Sequence, residues 1–428
     1  MNDTTKVAAV ALSTRYGAFD RSLRHRLLQQ MGTLSQSRLT MTDALGVAEL
    51  GEDAPAGADT LRARVRVHDP AFYRCVAANG SVGAAEAYID GLWDCDDLVA
   101  LVRMLVRNRD HLDAMETGLA RWGGLMMRAW NALRRNTHAG SRRNIAAHYD
   151  LGNALFRLFL SDDLMYSSAL FAHEDESIDT ASTRKLDRIC AKLDLKPGDR
   201  VLEIGTGWGG FALHAAARHG CHVTTTTISR EQYELAVARV AAAGLADRVT
   251  VLNRDYRELE GRYDKLVSIE MIEAIGHQYL DTYCRRLVDR LEPHGLALIQ
   301  AITIEEHRYA QALRSVDFIK RYVFPGSFIP SVGAIVGALA RTGDLRLVNL
   351  EDIGTSYALT LKAWRERFMA RLADVRAQGF DERFIRLWEY YLAYCEGGFR
   401  ERSIGTAQML LARPGNRREA FVPGLARA

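Results

Sequence analysis

The sequence has no apolar run long enough to cross a membrane and no strong excess of either charge. Its longest apolar stretch, residues 332–340, falls well short of the ~20 residues that a transmembrane helix needs. The first residues lack the basic start and apolar core of a secretory signal. With 56 basic and 53 acidic residues, the net charge of +3 gives no general case for nucleic-acid binding. We therefore expect a cytoplasmic protein with no nucleic-acid partner, whose membrane contact is peripheral.

Cysteine pairs of the kind that bind metals or form disulfide frameworks are missing. The six cysteines are scattered, and none stands near a histidine at metal-ligand spacing. We expect neither a metal site nor a disulfide framework. At 428 residues the chain exceeds the size at which single cores usually stop growing. We assign a small amino-terminal α+β domain to residues 1–120, a linker to 121–145 and a larger domain to 146–428.

Acidic residues are absent between Arg121 and Arg143, where six arginines are interleaved with tryptophan, leucine and methionine. On a helix the apolar side chains would share one face, with Arg121, Arg128 and Arg135 opposite. This pattern fits a solvated linker helix. It equally fits attachment to anionic lipid headgroups, which attract each nearby basic residue by about 1 kcal/mol.

From Lys185 onward, apolar or β-branched runs alternate with helical patterns, which is typical of a doubly wound parallel sheet. The predicted strands cover residues 200–205, 222–228, 248–254, 264–270 and 296–304. Ser229 is the expected N-cap of the helix after the second strand, and Gly244 its C-cap. The fold class is therefore α/β, with a Rossmann-like sheet preceded by the smaller α+β domain.

A glycine-rich turn follows the first of these strands. Glu203, Gly205 and Gly207 lie at its carboxyl end, where a backbone without Cβ atoms lets a ligand approach closely. Gly210 also completes the G-x-G-x-x-G spacing of dinucleotide-binding proteins. The turn alone leaves three alternatives open: a nucleotide-type cofactor, a dinucleotide, or no ligand.

Polar residues at the ends of the later strands favour the first alternative. Thr227 and Gln232 follow the second strand, Asp255 and Tyr256 the third, and residues 270–273 the fourth. Ligands of open α/β sheets bind outside the carboxyl ends of strands, so these residues should converge. No acidic residue ends the second strand, where the ribose of a dinucleotide would need one. Asp255 could accept a hydrogen bond from an adenine amino group, or simply cap a helix.

The chain resembles the cyclopropane-fatty-acyl-phospholipid synthase family of S-adenosylmethionine-dependent methyltransferases. The resemblance runs from about residue 85 to 411 and rests mainly on HYDLGN (148–153), VLEIGTGWGGFA (201–212), SIEMIEAIG (268–276) and YVFPG (322–326). It implies a class I methyltransferase fold and a cis-unsaturated acyl chain of a membrane phospholipid as the acceptor. It also implies that residues 1–120 help to engage lipid at the inner face of the membrane.

The same resemblance assigns contacts along S-adenosylmethionine. They run from Tyr166 and Ser167 at the sulfonium, through Gly205 and Gly207 at the methionine part and Thr227 and Gln232 near the ribose, to Asp255 and Tyr256 at the adenine. We add Glu203 from its position in the turn. Six aromatic residues of the carboxyl-terminal half are candidates for stabilising a carbocation, or are plain core: Tyr322, Phe324, Phe328, Tyr390, Tyr391 and Phe399.

In the family, a bound bicarbonate removes the proton that lets the ring close. By resemblance it would be held by Glu273, by Tyr357, by the backbone at Ile302 and by a cysteine and a histidine. This chain has Ser168 at the cysteine position and Gln300 at the histidine position. Both can form hydrogen bonds, but neither carries charge. Methyl transfer is therefore better supported than ring closure.

We expect an enzyme that methylates the double bond of a phospholipid acyl chain and forms a cyclopropane ring. A methylene or methyl branch is the alternative product. A small-molecule N- or O-methyltransferase and a non-catalytic cofactor- or lipid-binding protein also remain open. The sequence does not distinguish a monomer from a homodimer.

Overall fold

The computed structural model of the protein describes residues 16–110, 112 and 151–418. These residues form two compact units. The first contains residues 16–110 and 112 together with Asp381–Gly397, and the second contains residues 151–380 and 398–418. The linker expected at 121–145 lies outside the described residues, so the three-part division stays a prediction.

The first unit is a small α+β structure. Its elements are α1 (Ala18–Met31), β1 (Ser37–Asp43), β2 (Gly46–Leu50), β3 (Leu61–Val67), α2 (Ala71–Ile89), β4 (Trp93–Cys95) and α3 (Leu98–Arg107). The strands form a sheet in the order β2-β1-β3-β4. Strand β3 buries every second residue from Leu61 to Val67, because successive side chains of a strand point to opposite faces.

The second unit has an α/β architecture. Its elements are α4 (Asn153–Phe156), α5 (Ile178–Leu193), β5 (Arg200–Ile204), α6 (Gly210–His219), β6 (His222–Thr227), α7 (Arg230–Ala242), β7 (Val249–Asn253), β8 (Tyr263–Ile269), α8 (Leu280–Arg290), β9 (Leu291–Ile304), α9 (Glu306–Arg314), α10 (Val332–Thr342), β10 (Arg346–Asp352), α11 (Gly354–Ala370), α12 (Leu372–Ala377) and β11 (Ile404–Ala412). Helix α13 (Glu382–Arg400) belongs to the first unit as far as Gly397 and to the second unit from residue 398 onward. Among the described helices, none combines the length and hydropathy required to span a bilayer.

The large sheet has the order β10-β11-β9-β8-β5-β6-β7. Strands β5 to β9 pair in parallel, and β11 joins β9 and β10 antiparallel. The predicted α/β class and its five strands are confirmed, although the last strand begins at Leu291 rather than residue 296. From β5 the chain continues through β6 to β7 at one edge of the sheet, and then returns to β8 on the opposite side of β5. This reversal of strand order creates a crevice at the carboxyl ends of β5 and β8.

Helices cover both faces of this sheet. Val201 and Leu202 are neighbours in β5, yet they belong to different apolar clusters because strand side chains alternate between faces. Val201 packs with residues of α5 and α6, and Leu202 with residues of α8 and α10. Both are fully buried, so β5 is held rigidly beneath the glycine turn.

The cap of α7 confirms the sequence prediction at its start. The Ser229 hydroxyl accepts a hydrogen bond from the Gln232 amide nitrogen at 3.3 Å. At the other end, Ala243 is the C-cap residue, and Gly244 follows it at φ +68°. Gly244 thus lies one position beyond the cap, where a left-handed residue commonly ends a helix.

Candidate functional site

A cavity opens at the carboxyl ends of the parallel strands, in the crevice between β5 and β8. Eight of the nine residues predicted to contact the cofactor line it: Tyr166, Ser167, Gly205, Gly207, Thr227, Gln232, Asp255 and Tyr256. The ninth, Glu203, is buried in β5 just before the turn. The residues are therefore brought together as expected, and their individual contacts with a ligand stay predictions. Within the described ranges, no group of three or more His, Cys, Asp or Glu side chains could hold a metal ion.

The glycine turn forms the floor of the cavity. Gly205 and Gly207 have φ values of +102° and +52°, in the region that favours glycine. A Cβ on Gly205 would lie 3.2 Å from the side chain of Met271, whereas one on Gly207 would enter open space. A Cβ on Gly210 would lie 2.8 Å from the Asp163 carbonyl oxygen. Gly210 thus serves close backbone packing at the start of α6.

Two polar pairs shape the wall formed by β6. The Thr227 hydroxyl donates to the Gln232 Oε1 atom at 2.9 Å, and both side chains are buried. The Thr226 hydroxyl donates to the Arg254 carbonyl oxygen at 2.6 Å, which ties β6 to the loop after β7. These bonds orient the Gln232 amide group, whose nitrogen remains available as a donor in the cavity wall.

Asp255 has one of the two roles that the sequence left open, that of a cap. Its carboxylate caps the short turn Tyr256–Glu258 by accepting from the Arg257 amide nitrogen at 3.0 Å. The Arg257 guanidinium donates to the same carboxylate at 2.8 and 2.7 Å. Tyr256 packs edge-on against Tyr283, and its buried hydroxyl has no hydrogen-bond partner. The cap is thus a fact of the structure, while the adenine contact stays a prediction.

Lys185 is a buried cation that the sequence analysis missed. Its side chain is 0% exposed, and its Nζ atom donates to the Ser167 hydroxyl at 2.9 Å. Burial lowers the pKa of Lys185 to about 8, against the attraction of Asp163, Glu270 and Glu203. Burial also raises the pKa of Glu203 to about 8, and the Glu203 Oε2 atom has no hydrogen-bond partner. Lys185 lies close enough to Glu203 to lower its pKa against the effect of burial.

Glu270 is the centre of a hydrogen-bond network beside the cavity. Its Oε1 atom accepts from the Ser168 amide nitrogen at 2.9 Å and from Gln300 Nε2 at 2.8 Å. Its Oε2 atom accepts from the Tyr357 hydroxyl at 2.7 Å. Burial raises the pKa of Glu270, although these three hydrogen bonds and Lys185 oppose the shift. The residues predicted to bind bicarbonate therefore do lie together, but three of them donate to a carboxylate of the chain itself.

The remaining two members of that predicted set bind each other. The Ile302 amide nitrogen donates to Glu273 Oε1 at 2.5 Å, while Glu273 Oε2 is buried without a hydrogen-bond partner. Burial, and then repulsion from Glu270, raises the pKa of Glu273 to about 8. The raised pKa of Glu273 favours its neutral form, while the three donors on Glu270 favour the ionised form of that carboxylate against the effect of burial.

The backbone at Glu270 is strained. Its φ of +49° lies in the left-handed region, which costs a residue other than glycine about 1–3 kcal/mol. Glu270 directly follows β8, and its amide nitrogen donates to the Gln300 carbonyl oxygen at 2.7 Å. Gln300 is itself held by a neighbouring strand, because Gln408 of β11 donates through Nε2 to Gln300 Oε1 at 3.0 Å. The surrounding hydrogen bonds thus hold Glu270 in a conformation that a glutamate would otherwise avoid.

An aromatic cluster surrounds Tyr166. The rings of Trp364, Phe156 and Phe324 lie 5.2, 5.3 and 6.5 Å from its ring centre. Phe324 was among the aromatic candidates from the sequence, but Trp364 and Phe156 were not. Aromatic faces attract cations, so this wall is suited to a positively charged group.

Comparison with known proteins agrees with this geometry. The family described as mycolic acid cyclopropane synthetase matches residues 136–409. A tuberculostearic acid methyltransferase of Mycobacterium tuberculosis is 37% identical over 424 residues, which cover 96% of each chain. A cyclopropane-fatty-acyl-phospholipid synthase of Escherichia coli is 36% identical over 353 residues, or 82% of this chain and 88% of the relative.

A solved structure matches the larger part of the chain. The crystal structure of a mycolic acid cyclopropane synthase complexed with SAH and CTAB superposes with a TM-score of 0.59 at 27% identity. The match covers 63% of this chain and 98% of the other.

Proposed function

The chain belongs to the mycolic acid cyclopropane synthetase family, and we propose that it transfers a methyl group from S-adenosylmethionine to the cis double bond of a phospholipid acyl chain. The class I methyltransferase fold and dependence on S-adenosylmethionine follow from the family and its structural relatives. The phospholipid acceptor and a cyclopropane product are the proposed parts. The observation that best supports methyl transfer is the cavity that gathers eight of the nine residues expected to contact the cofactor.

The described residues fit the cofactor. When bound, S-adenosylmethionine supplies a methyl group on a positively charged sulfur. Gly205 and Gly207 leave room for it against the backbone, and Gln232 and Tyr256 offer polar atoms that the protein leaves without a full set of partners.

The chain's own residues supply two further conditions for alkene methylation. An isolated double bond is a weak nucleophile, so it must be held in line with the methyl group and away from water. Tyr166 lines the cavity with Trp364 and Phe156 packed against it, and its ring can stabilise positive charge that develops on the acyl chain. The raised pKa of Glu273 favours its neutral form, which limits the negative charge beside Glu270.

A methylene or methyl branch is the second candidate product. Ser168 and Gln300 replace the charged and thiol groups expected at the base site, and both bind within the chain. One relative with 96% coverage is named a methyltransferase, while another is named a cyclopropane synthase. Both products require methyl transfer first and differ only in the fate of the cation.

The direct test is to incubate the purified protein with methyl-labelled S-adenosylmethionine and vesicles of cis-unsaturated phospholipid. We expect label in the fatty acids, because the cation can only form on a double bond. Mass spectrometry should detect the added carbon, and NMR should separate a cyclopropane from a methylene of equal mass. Vesicles with fully saturated chains are the control. Equal labelling of saturated chains, or no label in any lipid, would contradict the proposal.

We place the protein at the inner face of the membrane through the basic segment at residues 121–145, which lies outside the described residues. Replacing Arg134, Arg135, Arg142 and Arg143 with glutamine should weaken sedimentation with anionic vesicles, because each basic residue contributes about 1 kcal/mol at the surface. Binding to neutral vesicles should change little. Unchanged sedimentation with anionic vesicles would show that the segment is a solvated linker.

A further inference from the structure

The donors that would bind an external anion are already used by carboxylates of the chain. Tyr357, Gln300 and the Ser168 amide all donate to Glu270, and the Ile302 amide donates to Glu273. The Ser168 hydroxyl donates to the Ala169 carbonyl oxygen. A bicarbonate ion would have to displace Glu270 from these donors and lie beside its negative charge. The described residues therefore do not fit a bound bicarbonate.

We propose that Glu270 is the catalytic base of the reaction, a carboxylate built into the chain in place of a bound anion. Bicarbonate and a glutamate carboxylate present the same pair of oxygen acceptors to hydrogen-bond donors. Of the residues that the family resemblance assigns to the anion, Tyr357 and Gln300 donate to Glu270 through their side chains, and Ser168 donates through its backbone amide. This inference rests on the proposed function for its substrate, but its anion-site part can be tested without turnover.

Glu270 is placed to reach a substrate. It lines the cofactor cavity together with Tyr166 and Ser167, and it directly precedes Met271, which packs near Gly205. Its Oε1 atom already accepts two hydrogen bonds, whereas Oε2 accepts one, from Tyr357. A carboxylate oxygen has room for two, so Oε2 is the atom that can accept a proton.

The proposed step balances without a further reactant. The π electrons of the double bond form a bond to the methyl carbon, and the electrons of the sulfur–carbon bond remain on sulfur. The neighbouring carbon of the acyl chain becomes positive. Glu270 Oε2 then takes a proton from the transferred methyl group, and the electron pair of the broken C–H bond closes the ring onto the positive carbon. If a hydride first shifts from the methylated carbon to the positive carbon, the same electron pair forms a methylene double bond instead. Glu270 is left as a neutral carboxylic acid, which later releases its proton to water.

Two variants separate the functions of the side chain. Glu270→Gln keeps its size but cannot accept the proton. Glu270→Gly removes the carboxylate and suits the positive φ, so it opens the proposed anion position without backbone strain. Glu174→Gln, at an exposed carboxylate outside the cavity, is the matched control. Calorimetry with S-adenosylhomocysteine checks that each variant retains a folded cofactor site.

Each protein is assayed with cis-unsaturated vesicles in carbonate-free buffer and with added bicarbonate, and binding of ¹³C-bicarbonate is followed by NMR. We expect the wild-type rate to be independent of bicarbonate and Glu270→Gln to lose roughly 100-fold or more, as for removal of a general base. Glu270→Gly should bind bicarbonate and recover at least tenfold when it is added. The control should match the wild type.

The opposite results would overturn the assignment. For the wild type, these are a rate that depends on bicarbonate or detectable binding of ¹³C-bicarbonate. For the variants, they are full activity of Glu270→Gln, or a Glu270→Gly protein that neither binds bicarbonate nor is rescued by it. If the wild type labels no lipid at all, the proposed substrate is wrong. The NMR comparison of wild type and Glu270→Gly then still decides whether Glu270 fills an anion site.

Discussion

Replacing Gly207 with alanine is expected to lower the affinity for S-adenosylhomocysteine by roughly tenfold to a hundredfold. Gly207 lines the cavity, and a Cβ there would enter open space that the ligand needs. Forcing a methyl group into an occupied site costs about 1–3 kcal/mol, and every 1.4 kcal/mol is about a tenfold change in affinity. Titration calorimetry measures the change directly.

Gly198→Ala is the matched control for this variant. Gly198 also has a positive φ, +86°, and a Cβ there would meet no atom within 4 Å. It lies before β5, at the amino end of the strand and away from the cavity. Both variants carry a left-handed alanine, so both should lose some thermal stability, but only Gly207→Ala should lose binding. Equal affinities of the two variants would contradict the assignment of the turn.

Replacing Lys185 with methionine is expected to destabilise the second unit by about 3 kcal/mol. Methionine keeps most of the volume but removes the one positive charge that attracts both Glu203 and Glu270, and breaking a buried charge set is costly. The loss should be measured by urea unfolding. Lys362→Met, at a half-exposed ion pair with Glu366 on α11, is the control and should leave the unfolding midpoint nearly unchanged.

The loss caused by Lys185→Met should grow with pH. A carboxyl whose pKa is raised in the folded protein favours the fold below its unfolded pKa, and that contribution disappears as pH rises toward the folded value. For Glu203 this window runs from 4.5 to about 8. Because Lys185 lowers the pKa of Glu203, its removal raises the folded pKa further and extends this window at its upper end. Unfolding at pH 6 and pH 8 should therefore show the larger difference at pH 8, and an equal difference would contradict this account.

Local patterns predicted the parts of the fold that depend on neighbours in sequence. The β-branched and apolar runs predicted β5 to β8 within about two residues, and Ser229 marked the start of α7. The antiparallel strand β11 was not predicted, because its pairing partner β9 lies about a hundred residues earlier in the chain. Pairing over such distances leaves no local signal.

The same limit applies to the site. From the sequence, Glu270 was predicted only to follow the fourth strand. Its hydrogen-bond network was not predicted, because its partners Ser168 and Tyr357 lie 102 and 87 residues away in the chain. Lys185 had a usable signal. Helical spacing places it on the face of α5 that carries Ala181 and Ile189, so a lysine among apolar residues could have been singled out. The sequence located the cavity correctly but not the charges that control it.

The hydrogen bond between Gln408 of β11 and Gln300 fixes how the Gln300 amide group is oriented beside Glu270. Gln408 donates to the oxygen of Gln300, so the nitrogen of Gln300 faces Glu270. A histidine in this place could pass a proton through its ring, taking it on one nitrogen and releasing it from the other. A primary amide cannot. A proton that Glu270 accepts therefore does not pass through Gln300 to Gln408 in β11.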